Sequence, residues 1–361
     1  MTIIFINFRI ELIFTKNRRF GRCSELATKK KILVFCILIS LMLNLGVNGY
    51  NSTDSAETKK QEPTGVIKVV TSLSLLADWA TEIGGDLFSP ISIVTGNEDP
   101  HTFDLLADDI NTIAEADLFI YLGLEGIEPW VETAINAAEP ASSIAIATDN
   151  MIIFDPLTGK TNPHIWMSPF IVKDLVKNMT KGIITADPTN QAQYELNRDT
   201  YLSKLDDLIV ELQTTYYNIF NGLKVIIHHP AFIYLFNIIG VIRAGVIEEV
   251  EGSEPSAQHI QEITEIMKVE NISIIVTQPQ IDEKQIIQLA RDTNSKLAKL
   301  TPLLGIEGAE TYIDMIYYDL NALQNPEAVP PSNLTTIIII VGASVLGVVI
   351  IGLVYIRFFR K

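Results

Sequence analysis

The chain has 361 residues, 48% hydrophobic and 19% charged, which excludes a disordered or low-complexity protein and leaves room for about two domains at ~100–200 residues each. Its formal charge of −16 is unevenly spread: residues 66–336 hold 14 basic and 38 acidic side chains. Such a body repels phosphates and is no nucleic-acid binder; it suits a cationic ligand. Both cysteines, Cys23 and Cys36, precede the body, so it contains no disulfide framework, Cys-rich zinc ribbon or cysteine nucleophile.

Residues 1–50 read as an N-terminal extension and a signal or anchor segment. Lys29, Lys30 and Lys31 precede an apolar run over 32–45, with small residues Gly46 and Gly49 beyond it. A polar linker over 51–65 follows. From 66 onward, short Val/Ile-rich runs alternate with helical patterns, which predicts an α/β fold with parallel sheets and flanking helices. The first set has strands at 67–71, 91–94, 118–121 and 144–147, with helices at 75–83, 105–114 and 129–138. This predicts an N-terminal α/β lobe over 66–188.

Over 189–222, Leu196, Leu202, Leu205, Leu208, Ile209 and Leu212 recur at helical spacing, and neither Gly nor Pro interrupts 189–220. One long helix of about thirty residues, ~45 Å at 1.5 Å per residue, is expected to join the two lobes. A C-terminal lobe over 223–325 follows, with strands at 225–227, 240–246, 272–277 and 296–298 and helices at 259–269 and 283–294. Glu254-Pro255-Ser256 gives the helix-start signal. A Pro-marked stalk over 326–336 leads to an apolar run expected to span a membrane at 337–356, and Arg357, Arg360 and Lys361 form a cytoplasmic tail over 357–361. This orientation puts the body outside the cytoplasm, tied to the cell membrane by a single pass.

The five histidines are His101, His164, His228, His229 and His259. His101 follows the second strand in Asp99-Pro100-His101, His164 lies in Pro163-His164-Ile165-Trp166-Met167-Ser168-Pro169, and His228-His229-Pro230 ends a strand. Open α/β sheets bind ligands at that edge, and three neutral imidazoles fill three corners of a zinc tetrahedron. Singly, each histidine also suits capping or packing. The joint pattern, in Pro-stiffened loops of a chain poor in histidine, points to a divalent metal.

These motifs resemble the zinc/manganese solute-binding proteins of ABC transporters, the cluster A-I metal-binding lipoprotein and adhesin family. The likeness covers roughly 66–325: Asp-Pro-His-x-Phe-Asp at 99–104, Ala-Asp-Leu-Phe-Ile-Tyr-x-Gly-Leu at 116–124 with Trp130, and Pro-His-x-Trp-Met-Ser-Pro at 163–169. Pro188 with the long helix, His-Pro-Ala-Phe-x-Tyr at 229–234, Glu254-Pro255-Ser256 and Pro279-Gln280 complete it. The resemblance implies two lobes bridged by a rigid helix and a non-enzymatic protein. It would hold Zn2+, or alternatively Mn2+ or Fe2+, at His101, His164 and His229 and deliver the ion to an ABC permease. His228 is expected to point away from its neighbour by strand alternation.

Departures from the pattern concern the fourth ligand. No carboxylate occurs over 300–305, Gln278 stands where the family often has Glu, and Asn162 stands where Asp is common. Water, Glu307 or another acid remains for that position. A three-histidine set without carboxylate favours zinc over manganese, which prefers oxygen. Two rival readings are a surface adhesin and a hydrolytic enzyme with zinc on three histidines; the chain carries no His-Glu-x-x-His and no Gly-x-Ser-x-Gly.

Overall fold

The computed structural model describes residues 66–329, apart from 97, 249–252 and 282. The expected N-terminal segment, linker, membrane span and tail, and most of the stalk, lie outside the described residues. Among those described, no helix is long and apolar enough to cross a membrane.

The chain begins with β1 (Val69–Leu73), buried at every position, as a central parallel strand covered on both faces requires. Helix α1 (Ser74–Gly84), β2 (Ile91–Val94), α2 (Ala107–Ala114), β3 (Leu118–Tyr121), α3 (Val131–Ala138) and β4 (Ser143–Ala145) follow. The four strands form one parallel sheet in the order β2-β1-β3-β4. An antiparallel hairpin, β5 (Ile153–Asp155) and β6 (Lys160–Asn162), then leads to α4 (Pro169–Ala186). Neither hairpin nor helix was expected from the sequence pattern.

The long helix forms as α5 (Gln191–Glu211), a single π turn (Leu212–Tyr216) and α6 (Tyr217–Phe220). It lies against α4 and α1, burying Tyr194, Tyr201, Leu205 and Leu208. It is thus a packed layer as well as a connection.

The second sheet comprises β7 (Lys224–Ile227), β8 (Ile242–Val246), β9 (Ile274–Thr277), β10 (Lys296–Lys299) and β11 (Glu327–Ala328), in the order β11-β10-β9-β7-β8. Four strands are parallel, and β11 pairs antiparallel with β10. That edge strand falls at the start of the expected stalk. Helices α7 (Ile233–Ile239), α8 (Ala257–Glu270), α9 (Lys284–Thr293) and α10 (Tyr312–Gln324) connect and cover the strands. Ser256 accepts from the His259 backbone N–H at 3.1 Å, capping α8.

One apolar core runs without interruption from β1 through α4 and α5 to α10. Helix α10, last in the described chain, docks on the first half: Trp79 and Tyr312 meet edge to face at 5.7 Å, and the Tyr312 hydroxyl donates to Trp166 O at 2.8 Å. Trp166 Nε1–H in turn donates to Pro302 O at 2.7 Å. These bonds fix the loops of the two sheets against each other.

Candidate metal centre

Three loops bring together the three histidines expected from the sequence. His101 comes from the loop after β2, His164 follows β6, and His229 follows β7. His101 Nε2 and His164 Nε2 are 3.2 Å apart, and His164 Nε2 and His229 Nε2 3.1 Å apart. One ligand atom from each lies within 4.8 Å of the others. His164 and His229 are buried, and His101 is half-buried.

The opposite ring nitrogen of each imidazole faces an oxygen acceptor. His101 Nδ1 meets the carbonyl of Gly126. His164 Nδ1 meets Asn162 Oδ1 at 3.0 Å, and His229 Nδ1 meets Glu248 Oε2 at 2.7 Å. A carbonyl or carboxylate oxygen can only accept, so the proton sits on Nδ1 and the Nε2 lone pair turns inward; an oxygen partner on the outer nitrogen is how metal-ligating histidines are held. The His164 lone pair, at ~3 Å from each of the other two, is repelled by both unless a cation lies between them. A zinc tetrahedron with bonds of ~2.0–2.1 Å spaces its nitrogens at about 3.3–3.4 Å.

Each acceptor is itself held in place. Asn162 Nδ2 donates to Pro230 O at 2.7 Å, which turns Oδ1 toward His164, where it also accepts the backbone N–H at 3.1 Å. Tyr234 donates its hydroxyl to Asn162 O at 2.6 Å. Asp155 accepts from both Arg243 terminal nitrogens at 2.7 and 2.9 Å and from Asn162 Nδ2 at 3.4 Å. Burial alone would raise the Asp155 pKa, but the Arg243 fork and the amides hold it below the usual carboxylate range. Glu128 binds Ser72 and the backbone N–H groups of Leu122 and Gly123, bracing the loop that presents Gly126. Burial pushes Glu128 up to about 7.

Burial drives the His164 pKa well below its ordinary value, helped by the neighbouring His229 and His101. His164 is therefore neutral near pH 7, as a metal ligand must be.

The cluster lines a cavity of about 10 Å3, shared with Asp99, Gln278 and Gln280. Beside it opens a larger cavity of about 520 Å3, lined by Asp99, His228, Glu248, Glu254, Gln280 and Lys284 among others. Its three carboxylates suit the approach of a cation.

His228 lines this second cavity rather than joining the cluster; burial takes its pKa down to about 4. His259 shares Nε2 with Val246 O at 2.8 Å at the end of β8. Neither belongs to the three-histidine group. Glu307 is exposed and does not line the small cavity. Sequence reasoning missed the oxygen acceptors Gly126 and Glu248 and the position of Gln280. Only Glu248, two residues beyond β8, left a signal: a Glu at the functional edge of a strand that neighbours β7.

Residues 69–325 match the family described as "Zinc-uptake complex component A periplasmic". The metal ABC transporter substrate-binding lipoprotein FimA of Streptococcus parasanguinis is 27% identical over 309 residues, 82% of this chain and 98% of that protein. The high-affinity zinc uptake system protein ZnuA of Bacillus subtilis is 26% identical, over 82% of this chain and 98% of its own. The manganese ABC transporter substrate-binding lipoprotein PsaA of Streptococcus pneumoniae is 27% identical with the same coverages. Among solved structures, a zinc-bound deletion mutant of ZnuA superposes with a TM-score of 0.65 at 26% identity, covering 74% of this chain and all of that one.

Proposed function

Because the chain belongs to the zinc-uptake complex component A family, we propose that it captures one divalent transition-metal ion, Zn2+, between His101, His164 and His229 and delivers it to the permease of an ABC transporter. The observation that carries this reading is the convergence of three Nε2 lone pairs whose Nδ1 partners are all oxygen acceptors. FimA and PsaA are named as metal ABC transporter substrate-binding lipoproteins, PsaA for manganese, and ZnuA as a high-affinity zinc uptake system protein.

The donor set favours zinc within that range. Three imidazoles suit zinc, whereas Mn2+ prefers carboxylate, carbonyl and water oxygens. We assign the first sheet and the second to two lobes, with the helical run 191–220 between them and the ion held where their loops meet. The shared core makes capture and release a matter of loop adjustment rather than a wide hinge. The body works outside the cytoplasm at the cell membrane, with the apolar run 337–356, read from the sequence, as its tether.

Dialysing the purified chain against equimolar Zn2+, Mn2+ and Fe2+, followed by elemental analysis, tests the choice. One equivalent of zinc per chain is expected. One equivalent of manganese or iron would overturn the zinc assignment, and no retained metal would overturn the function.

A further inference from the structure

We propose that Gln280 supplies the fourth contact to the ion through its amide oxygen; the assignment rests on the three-histidine reading above and adds the donor that the sequence left unnamed. Gln280 lines the same small cavity as His101, His164 and His229. Its orientation is fixed by its nitrogen. Nε2 donates to Gly96 O at 3.1 Å and to Thr301 Oγ1 at 3.0 Å, and Thr301 spends its own hydroxyl proton on Leu303 O at 2.7 Å. The reversed amide would set Oε1 against the Gly96 carbonyl oxygen, two acceptors facing each other. Oε1 therefore lies on the other side, buried, and no donor among the described residues reaches it. An acceptor buried without a donor is costly, by about the desolvation penalty of one polar group, and a cation held by the neighbouring imidazoles removes that cost.

Gln278 also presents a buried Oε1 without a donor to this cavity. Gln280 is the stronger candidate on two counts. Its amide nitrogen is pinned on both acceptors, and it also borders the larger, carboxylate-lined cavity. Its anchors matter as well. Gly96 belongs to the loop that carries His101, and Thr301 begins the loop after β10, so a bond to Gln280 joins loops of both sheets around the ion.

The test combines a structure of the zinc-loaded full chain with competitive chelator titrations of Gln280→Leu, Gln278→Leu and His229→Ala. The expected results are a zinc–Oε1 distance of ~2.0–2.2 Å, and zinc affinity reduced about ten- to a hundredfold in Gln280→Leu at unchanged stoichiometry. Gln278→Leu is expected to lose less affinity than Gln280→Leu. Circular dichroism in EDTA verifies that each variant is folded. A water as fourth ligand with Oε1 beyond bonding distance, or wild-type affinity in Gln280→Leu, overturns the assignment, as does a loss confined to Gln278→Leu. If His229→Ala also retains full affinity, the three-histidine reading itself falls, an outcome distinct from failure at Gln280 alone.

Discussion

Gly96 and Gly305 approach so closely that neither has room for a side chain. A Cβ on Gly96 would overlap Leu304 O, and one on Gly305 would lie 2.6 Å from Thr95 O. Both residues have positive φ, +112° and +95°, a region that L side chains avoid. The loop leading to His101 and the loop after β10 are therefore seated backbone on backbone. Gly96→Ala is expected to destabilise the chain by about 2–4 kcal/mol, combining strain and overpacking, and to weaken metal binding by displacing both loops. Gly159→Ala, at φ +69° with no atom within 4 Å of the added methyl, should cost only about 1–2 kcal/mol. Urea unfolding in EDTA compares the two; equal losses would refute the contact.

The Asp155–Arg243 pair supports the site from behind. Its side chains are 0% and 7% exposed, so removing one partner leaves a buried charge. Arg243→Met should destabilise the apo chain by about 3–5 kcal/mol. Asp155→Asn combined with Arg243→Met should recover much of the loss, because no lone charge remains. A double-mutant cycle in urea measures the coupling, and additive losses would contradict the pairing.

Asn162 holds the His164 ring and backbone, and in the proposed site it acts on the ion through that ring. Asn162→Ala should weaken zinc binding about ten- to a hundredfold, while Asn162→Asp, which keeps the acceptor, should stay closer to the wild type. Isothermal titration distinguishes these outcomes. Equal affinity in Asn162→Ala would mean that the His164 ring needs no such support.

Buried groups of both kinds set the stability of the metal-free chain against pH. His164 and His228 have depressed folded pKa values, the latter about 4. The unfolded chain therefore binds more protons than the folded one below ~6.5, and these groups cost stability as pH falls. Burial raises Asp78 and Glu128 to about 7. Their contribution has the opposite sign: it is present below the unfolded carboxylate range and lost as pH rises through about 7. The Asp78→Asn, Glu128→Gln double variant removes this compensation. Its stability in EDTA should fall more steeply between pH 7.5 and pH 5 than that of the wild type. Parallel pH curves would show that the two carboxyls do not titrate in this range.

The β-α alternation was legible because parallel strands buried on both faces, such as Val69–Leu73 and Ile274–Thr277, stand out as short Val/Ile runs. The helix Pro169–Ala186 was not among the expected elements, although Val172, Leu175, Val176, Met179 and Ile183 recur in it at helical spacing. The antiparallel edge Glu327–Ala328 is two exposed residues long and leaves no periodic signal. The three histidines could be picked out by their loops, since imidazole chemistry is written in the side chain. Their supports were far less legible. The Gly126 carbonyl is a backbone atom without a residue signature, and Glu248 becomes a partner of His229 only once β8 pairs with β7. Gln280 read as part of a motif; its orphaned oxygen appears only when Gly96 and Thr301 are seen to hold its nitrogen.

Zinc titration against a competing chelator, for the wild type and for each histidine changed singly to Ala, tests the central claim most directly. The wild type should take up one ion per chain. His101→Ala, His164→Ala and His229→Ala should each lose high-affinity binding, whereas His228→Ala and His259→Ala should retain it. Binding abolished by His228→Ala but not by His229→Ala, or wild-type affinity in all five, would contradict the account.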